Sequence, residues 1–156
     1  MENTTIPSQP TAQQEADIFR QQASRYMVCF HDGCSRHEAC LHWLVGQHVN
    51  EDAVVLQSVN LRNRLVRQDQ CPLFRPKVYG KQKRGMLHFY DDMPGRIERA
   101  VRLQLIHLFN RKVYYQMRNG QRPISPDEQQ QIAAVCQRYG WTGPLSYDSE
   151  EEGFVW

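Results

Sequence analysis

The chain has 156 residues, 40% hydrophobic and 23% charged, with a formal net charge of +2. That length supports one proper hydrophobic core, and no apolar run approaches the ~20 residues of a membrane span. Residues 1–10 carry neither the basic region nor the apolar core of a secretion signal, and an odd count of five cysteines argues against a disulfide framework. A cytoplasmic protein without membrane association is therefore expected.

The charge is unevenly spread. Residues 1–59 hold three arginines against seven acids, residues 60–122 hold fifteen Lys and Arg against four acids, and residues 123–156 hold one arginine against six acids. A basic centre between acidic ends concentrates polyanions, or meets its own counter-charges, or simply keeps a surface solvated.

In chain order, residues 1–10 are polar with two prolines and read as a disordered tail, leaving 11–156 as a single domain. Within it, 26–75 is the cysteine-containing part and 91–140 a helix-hairpin-helix part. Thr11-Ala-Gln-Gln14 has the pattern of a capping box and predicts a helix to about Ser24. Tyr26–Phe30 is β-branched and aromatic, a short strand leading into the Asp32-Gly33 turn. Ser35-Arg-His-Glu38 is a second capping-box pattern, predicting a helix through Cys40, Trp43 and Leu44 to Gly46. Ala53–Val59 reads as a strand.

Asp91-Asp-Met-Pro94 is a helix-start signal, and Ile97, Val101, Leu105 and Leu108 form the buried stripe of a helix from Gly95 to about Asn110. Arg111–Arg118, Asn119-Gly120 and the segment to Ile124 read as a β-hairpin, because Asn-Gly supplies the positive φ angles of a type I′ turn. Ser125-Pro-Asp-Glu128 opens a helix to Tyr139 with Gly140 as its stop. The acidic, aromatic segment Ser149–Trp156 either pins Phe154 and Trp156 onto a core or frays. The fold class expected is α+β, with about four helices, short strands and one β-hairpin, stapled by a four-cysteine metal site.

That site is the strongest chemical signal. Cys29, Cys34, Cys40 and Cys71 place a strand end, a glycine turn, a helix and a Cys-Pro loop around one point. Four thiolates are the soft ligand set of a structural zinc ion, or alternatively of an iron–sulfur cluster, and they leave no open position for catalysis. The bland alternative is no cofactor, the cysteines serving as small buried hydrophobes. His31 and His37 lie inside the cluster and can each replace a thiol, whereas His42 falls on another helix face. His48, His88 and His107 lack ligand spacing, and Cys136 sits with Ile132 and Val135 in a helical core pattern.

The basic centre supplies a second candidate. Lys81, Lys83 and Arg84, with Arg96, Arg99 and Arg102 recurring every third residue on the following helix, offer a phosphate-contacting surface for nucleic acid. The alternative is a protein-interaction module meeting an acidic partner or the chain's own acidic ends. No Walker loop, GxGxxG, HExxH or GxSxG occurs, so no catalytic residue is nominated and an enzyme is the lesser reading. His88, Asp91 and Asp92 are its only nearby polar constellation.

Cys29-Phe30 through Cys40-Leu41, Cys71-Pro-Leu-Phe74, and Tyr114-Tyr115 to Ile132 with its Arg-Asn-Gly and Ser-Pro-Asp-Glu-Gln elements together resemble an uncharacterised family of bacterial proteins catalogued as a domain of unknown function. The resemblance spans most of Tyr26 to Trp156. In that family a proline more often follows the second cysteine, where this chain has Ser35. The resemblance implies no activity and carries no functional residue across.

Overall fold

The structure, a computed structural model, describes residues 9–156. The tail expected over 1–10 lies outside the described residues except for Gln9 and Pro10. The architecture is α+β, and the chain divides into two compact units: residues 9–78 with Trp156, here the cysteine unit, and residues 79–155, the helix-sheet unit. Among the described residues no helix is long and apolar enough to cross a membrane.

The cysteine unit opens with α1 (Ala12–Gln22), whose Thr11 capping box forms as expected: Gln14 N–H donates to Thr11 Oγ1 and Thr11 N–H to Gln14 Oε1. Satisfying these orphan amides starts the helix, and Phe19 is the residue it buries. α1 packs against α2 (Leu41–Gly46), and Trp156 meets the rings of Phe19 and Tyr26 edge-on.

Two strands expected here do not form. Their remnant is a single parallel bridge between Val28 and Ser58, with Val28 N–H donating to Gln57 O and Val59 N–H to Val28 O. Val54 and Val55 stand 96% and 85% exposed. β-branched residues favour a pleated, half-buried surface, and residues 53–57 have no such surface against them.

The helix expected from Ser35 to Gly46 is broken. A 3-10 turn covers His37–Ala39, Cys40 is extended at φ −107° and ψ 119°, and only then does α2 begin. The second capping box is absent because Ser35 N–H is taken by Asp69 Oδ1 at 3.1 Å. The break has a tertiary cause: Cys40 bridges antiparallel to Pro76, with Leu41 N–H donating to Arg75 O and Lys77 N–H to Ala39 O. The remaining helix of this unit, α3 (Arg64–Arg67), is one turn capped by Asn63.

The helix-sheet unit contains β1 (Tyr79–Arg84), α4 (Gly95–Phe109), α5 (Arg111–Arg118), α6 (Pro126–Arg138) and β2 (Ser149–Phe154). β1 and β2 pair antiparallel from Tyr79↔Phe154 to Arg84↔Ser149, and Ile124 bridges to Lys83 on the other edge of β1. The acidic tail is thus a strand, and Phe154 is buried. α4 packs on α5 and α6, and α6 on β1. Their contact faces make a continuous core from Met86, Phe89, Val101, Leu105, Tyr114, Met117, Ile124 and Ile132. The stripe of α4 is narrower than expected, since Leu108 is exposed.

The predicted hairpin over 111–124 is overturned: Arg111–Arg118 is helical. Asn110, at φ 62°, ends α4 and caps α5 by accepting from Val113 N–H at 3.0 Å, so one residue turns the chain between two helices. Tyr114 and Met117, three apart, supply the buried face. Gly120 does take the positive φ that Asn-Gly invited, 69°, but just past a helix end rather than in a type I′ turn. The Ser125 capping box forms as read, with Pro126 in the first turn of α6.

Candidate metal centre

The four cysteines singled out by spacing come together. Cys29, Cys34, Cys40 and Cys71 line one cavity of about 20 Å³ within the cysteine unit, with His31, His37 and His42 also on its wall. All four are half-buried and free of disulfide bonds. A space of that size admits about one water-sized particle.

Each thiol is delivered by a distinct local device. Cys29 is fixed by its N–H donating to His42 O at 2.9 Å, and by the close approach of α2 at Gly46, where a Cβ would lie 2.6 Å from Cys29 O. Cys34 sits in the turn closed by its own N–H to His31 O. Cys40 is the extended residue between the 3-10 turn and α2.

Cys71 is brought in by the loop after α3. Asp69 adopts φ 56°, its carboxylate accepts Ser35 N–H, and its carbonyl accepts from Arg36 Nη2 at 3.0 Å. Arg36 then lies 4.2 Å over the Phe74 ring, clamping the loop that contains Cys71 against the turn that contains Cys34. The Ser35 amide holds the Asp69 carboxyl below its usual range.

The electrostatics record the crowding. Burial pushes the Cys29 thiol up, partly opposed by the His31 backbone amide, and the sulfurs of Cys40, Cys71 and Cys34 push it further. A thiol in that setting keeps its proton until a bound cation displaces it to solvent.

Hydrogen bonds to backbone carbonyls fix the tautomer of two of the histidines. His37 Nδ1 lies 2.6 Å from Cys34 O and His42 Nδ1 lies 2.7 Å from Met27 O. A carbonyl only accepts, so Nδ1 carries the hydrogen in both and the neutral ring keeps its lone pair on Nε2. His37 packs edge-on to Trp43, and His42 stacks on Tyr26 at 4.7 Å between centroids. His31 Nδ1 is buried without a hydrogen-bond partner among the described residues. As the side chains stand, no group of three or more His, Cys, Asp or Glu is arranged to hold a metal ion among the described residues. The donors share a cavity wall without converging on one point.

His42 is the residue that sequence reasoning set aside. On one continuous helix, residues 40 and 42 face apart, but the extended backbone at Cys40 puts both on the same cavity.

The basic residues behave differently from the cysteines. Lys81, Lys83 and Arg84 lie on β1 opposite the acids of β2: Lys81 and Lys83 both pair with Glu150, and Arg84 Nη2 lies 2.8 Å from Glu151. On α4, Arg102 pairs with Glu98 at 3.4 Å, whereas Arg96 and Arg99 are exposed and unpaired among the described residues. His88 and Asp91 form an exposed pair at 2.9 Å that raises the imidazole pKa.

Cys136 belongs to the core of the helix-sheet unit, as expected, and burial raises its thiol to about 11. It also borders a cleft of about 260 Å³ with Trp141, Thr142 and Leu145. At that pKa the thiol is neutral at pH 7 and a poor nucleophile.

Residues 12–156 match a family described as a family of unknown function (DUF6078), and the chain belongs to that family. No curated protein and no solved structure matches it.

Proposed function

Starting from a family that brings no activity with it, we propose that this is a non-catalytic, metal-stabilised cytoplasmic protein in which Cys29, Cys34, Cys40 and Cys71 bind one soft cation, zinc foremost. The observation that supports the reading is the shared cavity: four thiols from four separate backbone devices border a space the size of one ion. Zinc is preferred over an iron–sulfur cluster because a cluster needs room for several atoms, and because four thiolates complete a tetrahedral shell around a single ion. Binding draws the sulfurs inward and releases their protons. His31, or His37 through its Nε2, is the replacement donor if one thiol stays out.

Metal analysis of freshly purified protein, with X-ray absorption at the metal edge, tests the proposal. The expected result is one zinc per chain with sulfur scatterers at about 2.3 Å. Protein isolated and reconstituted without bound metal would overturn it, and visible absorption from iron and sulfide would replace zinc with a cluster.

For β1 a specific observation favours the second reading in the form in which the basic centre meets the chain's own acids. Lys81, Lys83 and Arg84 already answer acids of the same chain, so this part of the basic centre acts internally. Any phosphate contact by β1 and α4 rests on Arg96 and Arg99.

A further inference from the structure

We infer that Arg62, Arg64 and Arg67, on and just before α3, form a phosphodiester-binding surface for nucleic acid on the cysteine unit. All three side chains are exposed, and none has an ion pair or hydrogen bond among the described residues. No Asp or Glu occurs from residue 53 to 68, and the next acid, Asp69, is committed to Ser35 N–H. These charges differ in kind from those on β1, which have counter-charges built opposite them.

The backbone beneath them is fixed by short-range caps. Asn60 Oδ1 accepts Arg62 N–H at 3.0 Å, Asn63 Oδ1 accepts Leu65 N–H at 2.9 Å, and Gln70 N–H donates to Leu65 O at 2.8 Å. Val66 points inward and lines the cysteine cavity. The arginines are therefore carried on a preorganised turn, which lowers the ordering cost of binding.

Phosphate is favoured over an acidic protein for two reasons. All three cations are arginine, whose planar fork matches phosphate oxygens in pairs. The surface also lacks the buried aromatic anchor that carries protein–protein affinity: Leu61 and Leu65, the apolar neighbours, are only 37% and 38% exposed.

This inference goes beyond the metal proposal and can fail separately from it, provided metal content is measured on every sample. The full chain is titrated against a fluorescent oligonucleotide, single-stranded and duplex, between about 50 and 200 mM salt. The expected result is binding at low salt that falls linearly on a log–log plot. The R62Q/R64Q/R67Q variant, with unchanged metal content and circular dichroism, then binds at least about tenfold more weakly, with a slope smaller by about 1 per arginine removed. R96Q/R99Q changes neither quantity comparably. Should the triple glutamine variant misfold, the triple lysine variant serves in its place, retaining the slope while losing affinity through the missing fork. No binding by the parent at low salt, an unchanged triple variant, or equal binding to polyglutamate would each overturn the inference.

Discussion

The two units solve the same problem, ordering a short chain, by opposite means. The helix-sheet unit joins three helices and a sheet through a continuous buried cluster running from Met86 to Cys136. The cysteine unit has short elements, a four-residue α3, a six-residue α2 and two isolated β-bridges, and its buried residues are few: Phe19, Val28, Leu41, Val45, Val59 and Val66 among them. A chain segment this small buries too little apolar surface to offset its ordering entropy comfortably, and small natural domains commonly add a metal or disulfides. The thiols are concentrated in the unit whose apolar core is thin.

The sharpest way to break this comparison is to remove the proposed metal ligand that comes from furthest along the sequence. Cys71→Ser, or a chelator on the parent protein, should release the metal and forfeit binding energy on the order of 10 kcal/mol. Hydrogen exchange should then quicken across residues 9–78 while amides of α4–α6 keep their protection. Equal loss in both units, or in neither, would mean that the thiols do not divide the molecule in this way.

The converse perturbation is Leu105→Ala. Leu105 is fully buried on α4, and its truncation should cost about 2–5 kcal/mol, read as a lower denaturation midpoint for the helix-sheet unit with metal content unchanged. Gly46→Ala comes next, at roughly 1–3 kcal/mol, because its methyl would press on the Cys29 carbonyl and shift the first of the proposed ligands. Its effect should appear both in stability and as weaker zinc retention, whereas an alanine at Gly95, which has open space around it, should show neither.

The smallest expected effect concerns the charged sheet. The Lys83 hydrogen bond, followed by that of Lys81, holds the Glu150 carboxyl below its ordinary range. A depressed carboxyl contributes stability above its unfolded pKa of about 4.3 and loses it as pH falls through the lower folded value. Carboxyl titration by NMR should find Glu150 low in the parent and moved upward in Lys83→Gln. An unmoved value would show that the strand pairing does not depend on this charge match.

What the sequence made legible follows how local each cause is. The Thr11 and Ser125 capping boxes are four-residue chemistry and form as read. The grouping of Cys29, Cys34, Cys40 and Cys71 was visible in their spacing, since three of them lie within twelve residues. The place of His42 on the cavity wall was not visible, because the backbone at Cys40 just before it is extended by pairing with Pro76, far along the chain. The segment 111–124 was misread because Val113, Tyr115 and Met117 alternate like a strand while Tyr114 and Met117 recur like a helix. Asn110 at the preceding helix end decided between them. β2 was hidden for another reason: Ser149–Glu152 has little strand propensity, and its partner is a run of lysine and arginine. Only the uneven charge hinted that those two segments belong together.

The pairing of β1 with β2 also sets an order of events. Tyr79 meets Phe154 and Arg84 meets Ser149, so the sheet closes over the whole span of α4, α5 and α6. Helical contacts between neighbours in sequence form quickly, whereas long-range strand pairing waits on the entropy of loop closure. On the ribosome, β1 emerges well before β2 exists, and for that interval its lysines and arginine have no acids opposite them. The nascent chain is thus more basic on this edge than the finished protein. The acidic strand, arriving after the three helices, both completes the sheet and neutralises it.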